Sequence, residues 1–308
     1  MVKVFAPATV ANVAAGFDIF GFAINEPGDI IVARLTEKPG VVITKITGDN
    51  GKLPYEPDKN SASVSVLSYM KYIKSKRGVE LEIHKGMPLY SGLGSSAASA
   101  VGGVFAVNTL FGERFKREQL LQFAIEGEKV ASGSLHADNV APSLLGGFIL
   151  IRSYIPLDIV HIPVPDDLLC TIVTPEIEIP TEKARKILRS EISMKDAIIQ
   201  WGNASALIAG LFKKDYELIR RSLQDVVAEP VRSTLIPGFN EVKRSAIESG
   251  ALGCSISGSG PSVFALSRSQ KSARIVGTSM KKTFESIGLN CKVYISKINV
   301  EGVKVVKN

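Results

Sequence analysis

Two glycines, two serines and an expected helix start form the most chemically suggestive stretch of this 308-residue chain. Pro88, Leu89, Tyr90, Ser91, Gly92, Leu93, Gly94, Ser95, Ser96, Ala97 and Ala98 follow a strand-like run over 79–84. They open a segment in which Ala97, Val101, Val104, Phe105 and Asn108 recur at helical spacing. A helix start leaves backbone N–H groups unpaired at the positive end of its dipole, which makes it a ready anion site. Glycine lets a bulky group come close to the backbone. The Ser95 and Ser96 hydroxyls can cap the helix, touch phosphate or ligate a metal. The same run also reads as an ordinary turn and cap. It is not a Walker loop, because no Gly-Lys-Ser/Thr closes it, and it lacks the Gly-x-Gly-x-x-Gly of dinucleotide sites. A cradle for nucleotide phosphates is the economical reading.

Other polar groups gather at a few places. Asn12 and Asp18 lie in a loop of small residues, where they either bond their own backbone or face a ligand. A carboxylate such as Asp18 suits an ammonium group. Asn60 and Ser61 can cap a helix. Glu128 follows Glu126 on a helical stretch whose carboxylates would ordinarily be solvated. His136, Asp138 and Asn139 make the densest polar cluster of the N-terminal half. Thr181 reads as the cap of a short helix holding Glu182, Arg185 and Lys186, and the turn 257–260 reads as a hairpin. Arg185 reads as a surface charge, and Arg232 follows Glu229-Pro230-Val231. A guanidinium grips a carboxylate through two hydrogen bonds, which lysine cannot copy.

The elements that must position these groups follow from periodicity. Strands are expected at 2–6, 29–35 and 41–46, with a helix from Asn60 to about residue 76 that Gly78 ends. The helix after the phosphate loop carries Gly102 and Gly103 in its middle. Each costs about 0.5–1 kcal/mol against alanine, so another backbone or a ligand must pack close. A helix is expected over 117–131, and another over 195–212 with Trp201 in the core. Prolines and charges cluster at 156–167 and suggest a boundary there. Strands at 168–174, 252–256, 262–266 and 292–296, with helices at 240–249 and 270–286, suggest an α+β layer of ferredoxin-like order.

Composition excludes several classes. Hydrophobic residues make up 45% and charged residues 22%, ordinary for a globular protein. The net charge of +7 comes from short clusters such as Lys74, Lys76 and Arg77, without interleaved aromatics, so no nucleic-acid partner is expected. Cys170, Cys254 and Cys291 lack metal-ligand spacing and read as thiols in a reducing cytosol. No run approaches the ~20 apolar residues of a membrane span, and Pro7, Thr9 and Asn12 break the one stretch that resembles a signal. A cytoplasmic enzyme without a membrane partner is expected.

Three ordered motifs resemble the GHMP kinases of small molecules. They are the loop Pro88-x-x-x-Gly92-Leu93-Gly94-Ser95-Ser96-Ala97, the N-terminal Ala6-Pro7-Ala8-Thr9-Val10-Ala11-Asn12, running on to Gly16-Phe17-Asp18, and Ser257-Gly258-Ser259-Gly260-Pro261-Ser262. The match is best to the branch whose acceptor is L-homoserine, through Ala11-Asn12-x-x-x-Gly16-Phe17-Asp18, His136-Ala137-Asp138-Asn139-Val140-Ala141-Pro142 and Glu229-Pro230-Val231-Arg232. The resemblance implies a two-domain α+β fold. Residues 1–155 would form an ATP-binding mixed β/α domain like the second domain of ribosomal protein S5, and 156–308 a ferredoxin-like domain. It implies ATP on residues 88–98, with Asn60 near the adenine, and Mg²⁺ on Ser96 and Glu128. It places L-homoserine against Asn12, Asp18, His136, Asp138, Asn139, Thr181, Arg185, Arg232 and Gly258. Asn139 would orient the acceptor hydroxyl. Asp138 would be a base or a structural partner, since relatives pair an aspartate with a lysine and here Lys3 sits before the motif. Two arginines and Asp18 would read both ends of an amino acid, unlike mevalonate or a sugar. The alternatives are a kinase of the same fold acting on mevalonate, shikimate or a sugar, and an inactive nucleotide-binding regulator. The oligomeric state stays open, a homodimer among the options.

Overall fold

The computed structural model describes residues 1–133 and 137–306. The chain opens with β1 (Val2–Ala11), β2 (Phe20–Thr36), β3 (Gly40–Thr47), α1 (Ser61–Tyr72) and β4 (Gly78–His84). Helices α2 (Ser95–Leu110), α3 (Arg117–Ser132) and α4 (Ala137–Leu145) follow, then the hairpin β5 (Phe148–Tyr154) and β6 (Leu157–Ile162). The second half runs β7 (Leu169–Pro175), α5 (Thr181–Lys186), α6 (Met194–Lys213), α7 (Tyr216–Ser222), α8 (Glu229–Arg232) and α9 (Phe239–Glu248). It closes with β8 (Gly253–Ile256), β9 (Val263–Ser267), α10 (Gln270–Ser286), β10 (Cys291–Lys297) and β11 (Lys304–Val305).

The first sheet is mixed. Its path is β11-β1-β2-β4-β3, β5 joins at β2, and β6 joins at β5. Along β1 the alternate residues Val4, Ala6, Ala8 and Val10 are fully buried, as the two-residue period of a strand requires. The small-residue helix α2 lies on β1 and β2. A Cβ at Gly102 would stand 2.5 Å from the Ile31 side chain, and one at Gly103 would stand 2.6 Å from the Ala62 carbonyl. The mid-helix glycines therefore serve close packing of α2 on β2 and α1.

The second sheet runs β10-β7-β9-β8 with every neighbour antiparallel. That is the split βαβ order expected of the C-terminal half. One core joins the two halves: Phe22 stacks near Phe148 at 5.8 Å and meets Phe264 of β9 edge-on at 6.3 Å. The chain end also returns to the first sheet, where Val4 pairs with Val305. A division between residues 155 and 156 falls within the β5–β6 hairpin.

Several local expectations change. β1 continues to Ala11, because β2 folds back along its whole length and pairs Val10 with Phe22. The motif from Ala6 to Val10 is thus strand. α1 stops at Tyr72, since Lys74 turns to φ 51° and the Ser75 hydroxyl accepts from the Arg77 amide. Gly78 opens β4 instead of ending a helix. Thr181 lies inside α5 and does not cap it; Pro180 holds the cap position without a side-chain bond. Trp201 is 61% exposed, because α6 turns Ala197, Gln200, Leu207 and Leu211 inward and leaves the indole on the opposite face. Cys170 and Cys254 are free and buried, and burial pushes both thiols up, which makes them poor nucleophiles.

Candidate active site

A cavity of about 390 Å³ lies where the start of α2, the 12–18 loop, α8 and the 257–260 turn converge. The strand β4 delivers the chain to the loop 88–94. Gly92 and Gly94 take φ 77° and 66°, a left-handed region that side chains with a Cβ disfavour. Space demands glycine as well. A Cβ at Gly92 would stand 2.3 Å from the Ser257 carbonyl, and one at Gly94 2.1 Å from the Thr9 hydroxyl. The 257–260 turn is bonded to this loop: the Ser257 hydroxyl donates to the Gly92 carbonyl at 2.8 Å, and the Ser262 amide donates to the Ser91 carbonyl at 3.1 Å.

Gly94 is the cap residue of α2, and no side chain caps that helix. The Ser91 and Ser95 hydroxyl oxygens are buried without a hydrogen-bond partner among the described residues. A buried hydroxyl without a partner costs about 1–3 kcal/mol. A turn and cap would have paired these groups, and a ligand with acceptor oxygens would satisfy them. Leu89, Tyr90, Ser91, Gly92, Gly94, Ser95 and Ser96 line the cavity, whereas Leu93, Ala97 and Ala98 pack in the core behind it. Pro88 is half-buried outside the lining. Asn60 also lines it, but its side chain accepts from the Ala62 amide and donates to the Pro54 carbonyl, so it does cap α1.

Asn12, Val13, Ala14 and Asp18 all hold positive φ, between 43° and 69°. Such conformations cost of order 1–3 kcal/mol each and persist only where the surroundings over-determine them. Here the Asn12 side chain accepts from the Asp18 amide at 3.0 Å and donates to the Gly258 carbonyl at 2.8 Å. Asp18 forms an ion pair with Arg185 at 2.8 Å. Arg232 is buried; its Nε donates to the Ala184 carbonyl at 3.2 Å and its Nη1 to the Gly258 carbonyl at 3.0 Å. Burial lowers the Arg232 pKa, and the nearby Asp18 opposes that shift. Both guanidiniums sit over the Phe17 ring, at 5.9 Å for Arg185 and 5.0 Å for Arg232. Thr181 faces the cavity with its hydroxyl 3.4 Å from that of Ser259.

Asp138 is buried at the first turn of α4, beside Asn139. The Thr9 hydroxyl donates to Asn139 Oδ1 at 2.7 Å, which leaves the Asn139 amide N–H groups to the cavity. Glu128 is buried and lines the cavity, so it is no part of a solvated helix face. Ser96 also lines the cavity, and a carboxylate and a hydroxyl are groups that Mg²⁺ takes alongside phosphate oxygens and water. His136 lies outside the described residues.

Four features escaped the motif reading. Lys85 is buried against Asp29, and its ammonium also donates to the Ser95 carbonyl at 2.8 Å and the Ser99 hydroxyl at 2.7 Å. It ties β2 to the start of α2 behind the phosphate loop; no local pattern marks it, because Asp29 on β2 and Lys85, just past the end of β4, are far apart in sequence. Tyr154 donates its hydroxyl to the Asp18 carbonyl at 2.8 Å. Burial, with Asp138 and Asp18 nearby, pushes its pKa up, so it stays protonated. Gln200 of α6 donates to the Ala15 carbonyl and to Asp225, both at 3.0 Å. Asp225 in turn accepts the amides of Val227, Ala228 and Glu229, which fixes the start of α8 and with it Arg232. Glu229 itself takes the Ser255 hydroxyl at 2.5 Å and pairs with Lys243, and burial raises its pKa.

Residues 62–147 match the family described as GHMP kinases N terminal domain, and residues 207–286 match GHMP kinases C terminal. A homoserine kinase of Chlorobium phaeobacteroides (strain BS1) is 52% identical, with 98% of each chain covered. A homoserine kinase of Xylella fastidiosa (strain M12) is 37% identical, over 98% of this chain and 93% of that one. The crystal structure of homoserine kinase from Cytophaga hutchinsonii superposes with a TM-score of 0.97 at 55% identity, covering 99% of this chain and 97% of that one.

Proposed function

This chain belongs to the GHMP kinases, and from that premise we propose how its cleft carries out the phosphorylation its relatives are named for. The activity is that of a homoserine kinase: the γ-phosphoryl group of ATP passes to the side-chain hydroxyl of L-homoserine. The product is O-phospho-L-homoserine, a step toward threonine. One observation supports the residue roles above all others. The start of α2, where among the described residues no side chain caps the helix and the buried Ser95 hydroxyl has no partner, opens into the same cavity as Asp18, Asn139 and Arg232.

In this reading the amides of residues 92–97 and the hydroxyls of Ser91 and Ser95 hold the triphosphate. Ser96 and Glu128 would hold Mg²⁺, which when bound neutralises charge building on the phosphate oxygens. L-homoserine enters by exchanging partners with the Asp18–Arg185 pair: its ammonium takes the Asp18 carboxylate and its carboxylate takes Arg185 and Arg232. Asn12 and Gly258 shape the wall between them, Thr181 borders it, and His136 is carried over from the family motif. Asn139, its oxygen held by Thr9, donates toward the acceptor hydroxyl. Asp138 serves as base or as a structural partner; the transition state is loose, and positioning supplies most of the catalysis. No helix among the described residues is long and apolar enough to cross a membrane. The proposal includes a cytoplasmic setting, no membrane or nucleic-acid partner, and a homodimer.

ADP release measured across L-homoserine, mevalonate, shikimate and galactose tests the acceptor. Turnover with homoserine should exceed the others; preference for another alcohol would reassign the substrate, and ATP binding without transfer to any would indicate an inactive regulator. Glu128→Gln should lower kcat and move the Mg²⁺ dependence to higher concentration. An unchanged rate at limiting Mg²⁺ would remove Glu128 from the metal. Asp225→Ala strips three amides of their acceptor at the start of α8, a cap-sized loss of about 1–2 kcal/mol. It should raise the KM for homoserine by about tenfold while the KM for ATP stays put. Equal changes in both would mean that α8 does not serve the amino-acid site.

A further inference from the structure

Asp18 is held at three points. Its amide donates to Asn12 Oδ1 at 3.0 Å, its carbonyl accepts the Tyr154 hydroxyl at 2.8 Å, and its carboxylate takes Arg185 Nη2 at 2.8 Å. The residue holds φ 59°, a left-handed conformation that a residue other than glycine keeps only where its surroundings over-determine it. Asn12 and Tyr154 grip the backbone from its two sides. Tyr154 ends β5, which pairs Leu150 with Phe20 of β2, and the Ile151 amide donates to the Ile19 carbonyl. The hydroxyl is thus delivered by a sheet. On its other side it meets the start of α4, where a backbone hydrogen bond from Ala137 reaches the same oxygen. That end of α4 is pressed onto β2, since a Cβ at Gly21 would stand 1.7 Å from the Asp138 carbonyl.

On the homoserine reading of the cleft, on which this rests, we propose that Tyr154 is a positioning residue for the phosphoryl transfer. Its hydroxyl fixes the Asp18 carboxylate relative to the first turn of α4, so that the group taking the ammonium and the groups meeting the acceptor hydroxyl keep one spacing. Homoserine carries both ends on one short chain, so a change in that spacing costs binding and alignment together. Tyr154 does not line the cavity; it acts through Asp18 and α4. Burial keeps the phenol a donor. An ionised oxygen could not bond the Asp18 carbonyl and would face Asp18 and Asp138 with like charge. Without the hydroxyl, the Asp18 carbonyl loses its bond and the left-handed backbone loses one of its two restraints.

Tyr154→Phe keeps the ring and removes the donor. Tyr69→Phe is the control: that hydroxyl is also buried and donates to Asn108 Oδ1 at 3.1 Å, among Phe111, Phe115 and Phe123 and outside the cavity lining. The probe is γ-hydroxybutyrate, which is homoserine without its amino group, read as an inhibition constant against homoserine. Tyr154→Phe should raise the KM for homoserine about tenfold and lower kcat about as much, the scale of a buried hydrogen bond lost with its acceptor left unpaired. The inhibition constant of γ-hydroxybutyrate and the KM for ATP should each move by less than about twofold. Tyr69→Phe should lower the melting temperature and leave all of these constants alone. A wild-type protein that binds γ-hydroxybutyrate as well as homoserine overturns the homoserine reading and the positioning role with it. A wild type that prefers homoserine, with that preference and kcat intact in Tyr154→Phe, overturns the positioning role alone. So does a Tyr154→Phe protein in which every constant shifts together, as a merely loosened fold would give.

Discussion

Arg232→Lys is expected to raise the KM for homoserine by about ten- to a hundredfold, the loss of the charge-assisted contact from Nη2 at about 1.5–3 kcal/mol. The KM for ATP should change by less than about twofold, since the triphosphate cradle lies on other elements. Two of the guanidinium's donors hold backbone carbonyls, Ala184 on α5 and Gly258 in the turn. Nη2 makes no hydrogen bond among the described residues and is the proposed contact to the substrate carboxylate. A lysine presents one ammonium and cannot meet all three directions. The two carbonyls it abandons are a separate penalty that lowers the melting temperature. The kinetic split therefore carries the assignment, and the melting temperature does not. Steady-state kinetics with each substrate varied in turn decides it. Equal rises in both KM values would remove Arg232 from the amino-acid site.

Gly94→Ala should cost more. The position holds φ 66°, worth about 1 kcal/mol against alanine by conformation alone. The added Cβ would also meet the Thr9 hydroxyl at 2.1 Å and Asn139 Oδ1 at 2.8 Å. Both neighbours are placed by their own bond to each other, so the methyl group displaces Asn139 and the first amides of α2 together. The expected result is a fall in kcat/KM of about a thousandfold, an order typical of losing a preorganised donor, with ATP binding weakened in titrations. Gly51→Ala is the control, since Gly51 has a similar φ of 70° with nothing within 4 Å of the Cβ site. It should carry the conformational cost and leave the kinetics alone. Similar kinetics for the two variants would mean that strain, and not the crowded loop, explains the Gly94 result.

What was legible in the chain was local chemistry. Gly92 and Gly94 announce a tight loop because glycine takes that backbone at least cost, and the helix after it follows from spacing. The ferredoxin-like order of the second sheet follows from the succession of strands and helices. Long-range pairing was not legible. Asp18 and Arg185 each signal a charge at a ligand, yet nothing in their neighbourhoods says that they meet. The same holds for Lys85 with Asp29, buried charges brought together only because β2 and β4 become neighbours in the sheet. Trp201 shows the limit of composition: an indole in an apolar helix reads as core, and only the inward turn of Gln200 and Leu207 puts it outside. The stop of α1 at Tyr72 was missed because a Ser75 turn outcompetes a run of residues that would otherwise continue the helix.

The most direct test is a crystal structure with a non-hydrolysable ATP analogue and L-homoserine. The β- and γ-phosphates should lie on the amides of residues 92–97, within hydrogen-bond distance of Ser95 Oγ. The homoserine hydroxyl should point at the γ-phosphorus and its carboxylate at Arg185 and Arg232. Phosphates bound away from the start of α2, or homoserine bound away from Asp18, would contradict the account.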